Sequence, residues 1–117
     1  MSDHLKVNAA IDAADVELEH EPVAAGDVVE GTPTTGLLTL VESDDLEIGV
    51  WEITPGVVTD TEAAETFVVL SGAATVEFLD GGEPLTLRAG TVGRLAEGAR
   101  TRWTVTETLR KVYVTPA

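Results

Sequence analysis

The chain predicts an all-β fold, an antiparallel roll of short strands, on three observations. From Leu37 onward, apolar segments are separated by turn residues at intervals of about 8–12 residues, as in a sandwich or barrel. Val, Thr and Gly are abundant, and no long helical period links the segments, which argues against parallel strands joined by crossover helices. At 117 residues the chain has room for one core and not for two.

Residues 1–24 read as an arm and residues 25–117 as the rolled domain. Within the arm, Ala9–Val16 offers one or two helical turns at weak apolar spacing. Glu17–Pro22 is a charged, extended run ended by proline. Gly31-Thr32-Pro33-Thr34-Thr35-Gly36 is a loop by its turn residues. Strands are then expected at Leu37–Val41, Leu46–Thr54, Thr66–Leu70, Ala74–Leu79, Pro84–Arg88, Val92–Leu95, Thr101–Thr106 and Leu109–Thr115. Asp80-Gly81-Gly82 supplies the positive-φ residues of a tight hairpin. Ser71-Gly72 and Glu107-Thr108 read as turns between neighbouring strands. Thr101, Trp103 and Val105 alternate with Arg102, Thr104 and Thr106, the code of a strand with one wet face. Thr66–Leu70 is apolar on both faces and is expected to be central and covered on both sides. Such a set folds as a double-stranded β-helix, or jelly roll. An immunoglobulin-like sandwich is the rival, disfavoured by the absence of a Cys…Trp…Cys framework.

Charge narrows the function. The net charge is −14, which excludes a phosphate-binding surface for nucleic acid and an anionic membrane surface. No apolar run reaches the roughly 20 residues of a membrane-spanning helix, and a cytoplasmic protein is expected. With no cysteine, disulfides, thiolate metal sites and thiol nucleophiles are excluded. The bases are concentrated late: Arg88, Arg94, Arg100, Arg102, Arg110 and Lys111 follow a long stretch in which Lys6 is the single base. They either pair with acidic strands or converge on a pocket for an anionic ligand.

Several runs carry a family resemblance. Gly49-Val50-Trp51-Glu52-Ile53-Thr54-Pro55-Gly56, Glu65 through Gly72, Gly90 through Gly98 and Trp103 through Val114, with Val28 through Pro33 upstream, resemble the cupins. The likeness is to small single-domain cupins of the (S)-ureidoglycine aminohydrolase and ethanolamine-utilisation type, from about residue 25 to the end. It implies a jelly-roll barrel, often dimeric, with a pocket in its mouth. Metal-binding cupins carry His-x-His and Glu in a first motif and one His in a second. Here Glu65 alone survives. The second histidine position falls at Thr101, and Thr59, Asp60 and Thr61 stand in the place of the first ligand loop. A transition metal needs three or four imidazole, thiolate or carboxylate ligands, so neither a metal nor a cofactor is expected. Ureidoglycine hydrolysis depends on a metal, which leaves open whether this chain is an enzyme.

The candidate ligand-binding residues are Trp51, Glu65, Arg94, Thr101 and Trp103, with Glu65 also the candidate catalytic base. Glu65 is either a strand-start carboxylate bonded to backbone or an anchor in the pocket. Arg94 is either exposed or turned inward to meet Glu65. Trp51 and Trp103 are core or pocket wall. Lys111 and Tyr113 share one side of the last strand, with packing on the barrel exterior the favoured reading. His4 and His20 lie in the arm, far from the motifs. The expected partners are a small polar or anionic organic molecule and a second copy of the chain.

Overall fold

Two long bent strands form the spine of the molecule. They appear in a computed structural model that describes residues 3–116 and is an all-β jelly roll. In chain order the strands are β1 His20–Pro22, β2 Val28–Glu30, β3 Thr34–Glu42, β4 Leu46–Ile53, β5 Gly56–Thr61, β6 Glu65–Phe78, β7 Leu85–Arg88, β8 Val92–Leu95 and β9 Arg100–Pro116. A single 3-10 turn at Ala25–Asp27 precedes β2.

The spine is β6 against β9, antiparallel from Thr66↔Val114 to Phe78↔Thr101. On the far edge of β9, β4 pairs with its C-terminal half and β5 with its N-terminal half. On the far edge of β6, β8 pairs with the first half and β7 with the second. β3 and β1 extend the sheet beyond β4, and β2 extends it beyond β5.

Two pairs of expected strands are thus continuous. The signals Ser71-Gly72 and Glu107-Thr108 are bends rather than chain reversals. Register slips between Val69 and Ala74 place an irregularity there. Gly72 has φ +92°, and a Cβ at that position would run into the carbonyl of Thr108. A bulge of this kind sharpens the local twist and turns both strands through the corner of the roll. β5 is a further departure. Gly56–Thr61 is a strand hydrogen-bonded to β9, where no strand was expected and Thr59, Asp60 and Thr61 stood at the ligand-loop position of the resemblance.

One sheet face points into the core, where Ile53, Val58, Phe67, Val69, Val76, Leu87, Leu109 and Tyr113 pack. Glycines opposite aromatics make this possible. Gly49 faces Tyr113 and Gly93 faces Phe67 in direct register. A Cβ at Gly49 would lie 2.5 Å from the Tyr113 hydroxyl, and one at Gly93 would overlap the Phe67 ring. Each ring therefore lies flat across its neighbouring strand.

The arm crosses the other sheet face and is pinned to it. Arg110 donates to the carbonyl oxygens of Ala13 (3.1 Å) and Val16 (2.6 Å) and to Glu52 Oε1 (3.0 Å). His20 bridges Glu52 and Thr34 at 2.6 and 2.8 Å. Burial opposes ionisation of Glu52, yet hydrogen bonds from Arg110 and His20 win and hold its pKa below the usual range. The helical tendency at Ala9–Val16 amounts to one turn, closed by the Val16 N–H to Asp12 carbonyl bond. Cover by the arm is partial. Val68, expected to be buried, is 40% exposed, and its cross-strand neighbour Val92 is 66% exposed.

Candidate functional site

The inward faces of β4, β5, β6 and β9 converge on a cavity of about 250 Å³ in the mouth of the roll. Trp51, Asp60, Glu62, Glu65, Trp103 and Lys111 supply its polar and aromatic lining. β-Pleat alternation explains the selection. Leu109, Lys111 and Tyr113 point inward from β9, as Trp103 does earlier on the same strand, while Arg110 and Val112 point to the other face.

Lys111 is 4% exposed and forms an ion pair with Glu65. Its Nζ also sits over three rings, at 4.6 Å from the Trp51 centroid, 4.7 Å from Phe67 and 5.0 Å from Trp103. A buried ammonium costs several kcal/mol unless it is compensated, and here one carboxylate and three π faces compensate it. Trp51 and Trp103 meet edge to face, with centroids 5.6 Å apart.

Glu62 forms a second cluster. It is buried, and its Oε2 accepts hydrogen bonds from the Thr101 hydroxyl (2.6 Å) and the Trp103 indole N–H (3.0 Å). Backbone bonds between Glu62 and the 98–99 turn, both 2.8 Å, fix the loop that carries it. Asp60 lies at the rim. Burial first, and then the charge of Glu62, push its carboxyl pKa up to about 6. On the opposite side the Tyr113 hydroxyl donates to Glu47 Oε2 at 2.6 Å. Burial and that carboxylate raise the phenol well above its usual range.

The structure brings together four of the five expected residues. Trp51, Glu65 and Trp103 line the cavity, and Thr101 stands behind it, orienting Glu62. Arg94 is elsewhere. It is exposed and borders a neighbouring groove of about 710 Å³ with Glu97 and Val114, a groove that Glu65 also borders, but the ion-pair partner of Glu65 is Lys111. Lys111 and Tyr113 were expected on the exterior, and both are buried inside. Their inward direction follows from sharing a face with Leu109 and from the glycine at 49, which opens space for the ring. Glu62 and the rim position of Asp60 were missed. The signal available was the inward run Thr101, Trp103, whose polar hydrogens need an acceptor once buried.

A family model described as the EutQ-like cupin domain matches residues 40–113. The chain belongs to that family. Solved structures agree on this cupin's fold. EutQ of Clostridium difficile superposes with a TM-score of 0.70 at 18% identity, covering 92% of this chain and 85% of that one. A protein of unknown function of the DUF861 family from Pseudomonas syringae pv. tomato gives 0.75 at 27% identity, over 91% of this chain and 46% of that longer one. A cupin superfamily protein from Desulfitobacterium hafniense gives 0.66 at 13% identity, over 97% and 94%. No curated protein matches this cupin.

The donor set does not fit the transition metal that many cupins hold. Among the described residues no group of three or more His, Cys, Asp or Glu side chains could hold an ion. Glu65, the surviving motif residue, is taken by Lys111, and Thr101 at the histidine position donates to Glu62.

Proposed function

We propose that this cupin binds a small polar organic molecule in the mouth cavity, with binding handled by fixed side-chain charges in place of a metal. The observation that carries the reading is the cavity itself: buried charged groups line an opening that core packing would otherwise close. Buried ionic groups are expensive, and a purely structural core of this volume is better served by apolar side chains. Glu65 acts through Lys111, which it neutralises and orients, so Glu65 is assigned as a structural anchor of the site. Trp51 and Trp103 supply flat apolar walls. Thr101 positions Glu62. Arg94 contributes only at the outer groove.

A second reading rests on Asp60. A carboxyl that titrates near pH 6 beside a second carboxylate can exchange a proton at neutral pH. An aminohydrolase-type or other proton-transfer reaction would then run on Asp60 and Glu62, and Glu65 would not be its base. Cytoplasmic residence is proposed on the cysteine-free, acidic composition, and among the described residues no helix is long and apolar enough to cross a membrane. A homodimer is proposed through the exposed row Val68, Val92 and Val114, with Arg94 set against Glu97 of the other copy.

Plugging the cavity tests the main reading. Ala63 lines the mouth and is itself exposed, so Ala63→Trp fills the opening without disturbing the core. Thermal shift across a panel of small polar metabolites is expected to stabilise the wild type with at least one chemical class and to leave the variant unmoved. Equal responses from both proteins, or none from the wild type, would remove the cavity from consideration.

A further inference from the structure

The charges in the cavity are unequally satisfied. Lys111 and Glu65 neutralise each other. Glu62 has no basic partner among the described residues, and both of its protein donors go to one oxygen, Oε2. Among the described residues no donor reaches Oε1, although Glu62 is 92% buried at 8% exposure. Among the described residues no fully buried side-chain oxygen is left without a partner, so Oε1 keeps some exposure, and Glu62 borders this cavity as well as the groove beside Glu97 and Pro116. Asp60 stands beside it at the rim, adding a second acceptor of the same sign. The Trp51 and Trp103 rings also line the cavity, and with Lys111 already over them they offer a ligand flat apolar surface. The net charge of −14 extends the same preference outward, since it draws cations toward the mouth and repels anions.

We propose that the ligand is a small organic cation with N–H donors, an alkylammonium or guanidinium group. It hydrogen-bonds Glu62 Oε1 and Asp60 and lays its apolar part against Trp51 and Trp103. This rests on the reading of the cavity as a ligand site and gives that ligand its charge. The anionic class suggested by the late run of bases is set aside for a physical reason. Of those bases Lys111 alone lines the cavity, and it is already neutralised. A ligand amine supplies the donor that Glu62 Oε1 lacks from the protein, whereas a ligand carboxylate would meet two carboxyl groups.

Charge-matched probes of similar size decide the matter. Butylammonium and methylguanidinium are the cations, 1-butanol and methylurea their neutral counterparts, and butyrate the anion. The chain has two tryptophans, so the two indole N–H signals of a ¹H–¹⁵N spectrum report on the cavity directly. Titration at pH 7.5 is expected to shift the Trp103 indole signal saturably with both cations, at least about tenfold more tightly than with the neutral probes, since charge-assisted hydrogen bonds exceed neutral ones by such a margin. Butyrate is expected to leave it in place. Glu62→Gln retains an acceptor for Thr101 and Trp103 while replacing the free oxygen by an amide. It is expected to weaken cation binding about tenfold. Asp60→Asn, a change at the rim that the fold tolerates, is expected to weaken it about threefold. Butyrate binding as tightly as butylammonium, or cation binding indifferent to both substitutions, would overturn the charge assignment and leave the cavity standing as a ligand site. Silence from all five probes would overturn the site itself.

Discussion

Lys111 is surrounded on every inward side by groups that favour its charge, and removing it exposes how much they depend on one another. Lys111→Met leaves the largely buried Glu65 carboxylate without its counter-ion, and about 3 kcal/mol of stability should be lost. Lys111→Met with Glu65→Leu removes both charges and should recover most of that loss, read from urea unfolding midpoints. A double variant no better than the single would show that the pair is not an isolated unit. Asp60 yields a pH signature. Its neighbours are Glu62, Asp27 and Lys111, and its folded pKa of about 6 lies above the ordinary carboxylate value of about 3.9. The folded state then binds more protons than the unfolded state between those values, so stability falls as pH rises through that window and stays reduced above it. Asp60→Asn removes the penalty. Discounted for its rim exposure, the gain should be about 1 kcal/mol at pH 7, some 3–5 °C in Tm, and near zero at pH 4. Equal gains at both pH values would contradict this origin. Of these residues Glu65 was legible as a special carboxylate in a strand-opening motif. Its partner was not, because Arg94 and Lys111 are both late cations, and only the sheet register tells which one faces it.

At the level of the strands, the informative feature is that four expected segments are two. Turn residues at Ser71-Gly72 and Glu107-Thr108 looked like chain reversals because glycine and polar pairs mark turns and bulges alike. The two sites face each other across β6 and β9, so each allows the other to bend. Gly72→Ala combines a strained φ with a collision against backbone and should cost about 2–3 kcal/mol. Gly98→Ala is the control. Its φ of +84° is similar, but no atom lies within 4 Å of an added Cβ, and its cost should be about 1–2 kcal/mol. Chemical denaturation separates them, and equal costs would show that the corner does not depend on close approach. β5 was missed for a related reason. Gly56-Val57-Val58-Thr59-Asp60-Thr61 has only two consecutive apolar residues and no alternation, so on its own it gives no strand signal. Pairing with β9 supplies the partners that make it a strand.

For the molecule as a whole, regularly spaced turn signals and period-two alternation were enough to reach a rolled antiparallel sheet, and the motif runs from Gly49 to Val114 were enough to reach the cupins. Those are local properties. Side-chain period, turn chemistry and motif spacing are written in consecutive residues and survive without knowledge of contacts. The absence of a histidine set was equally legible, since a missing residue type is visible in any arrangement. What the tertiary structure alone decided is the polarity of the cavity. Lys111 and Tyr113 turned inward, Arg94 turned outward, Val68 stayed half open, and Glu62 came to rest under Thr101 and Trp103 from 39 and 41 residues away. Whether a charged side chain on a strand faces the core or solvent depends on the register of its neighbours and on which face another segment covers. Both are set by contacts between residues distant in the chain.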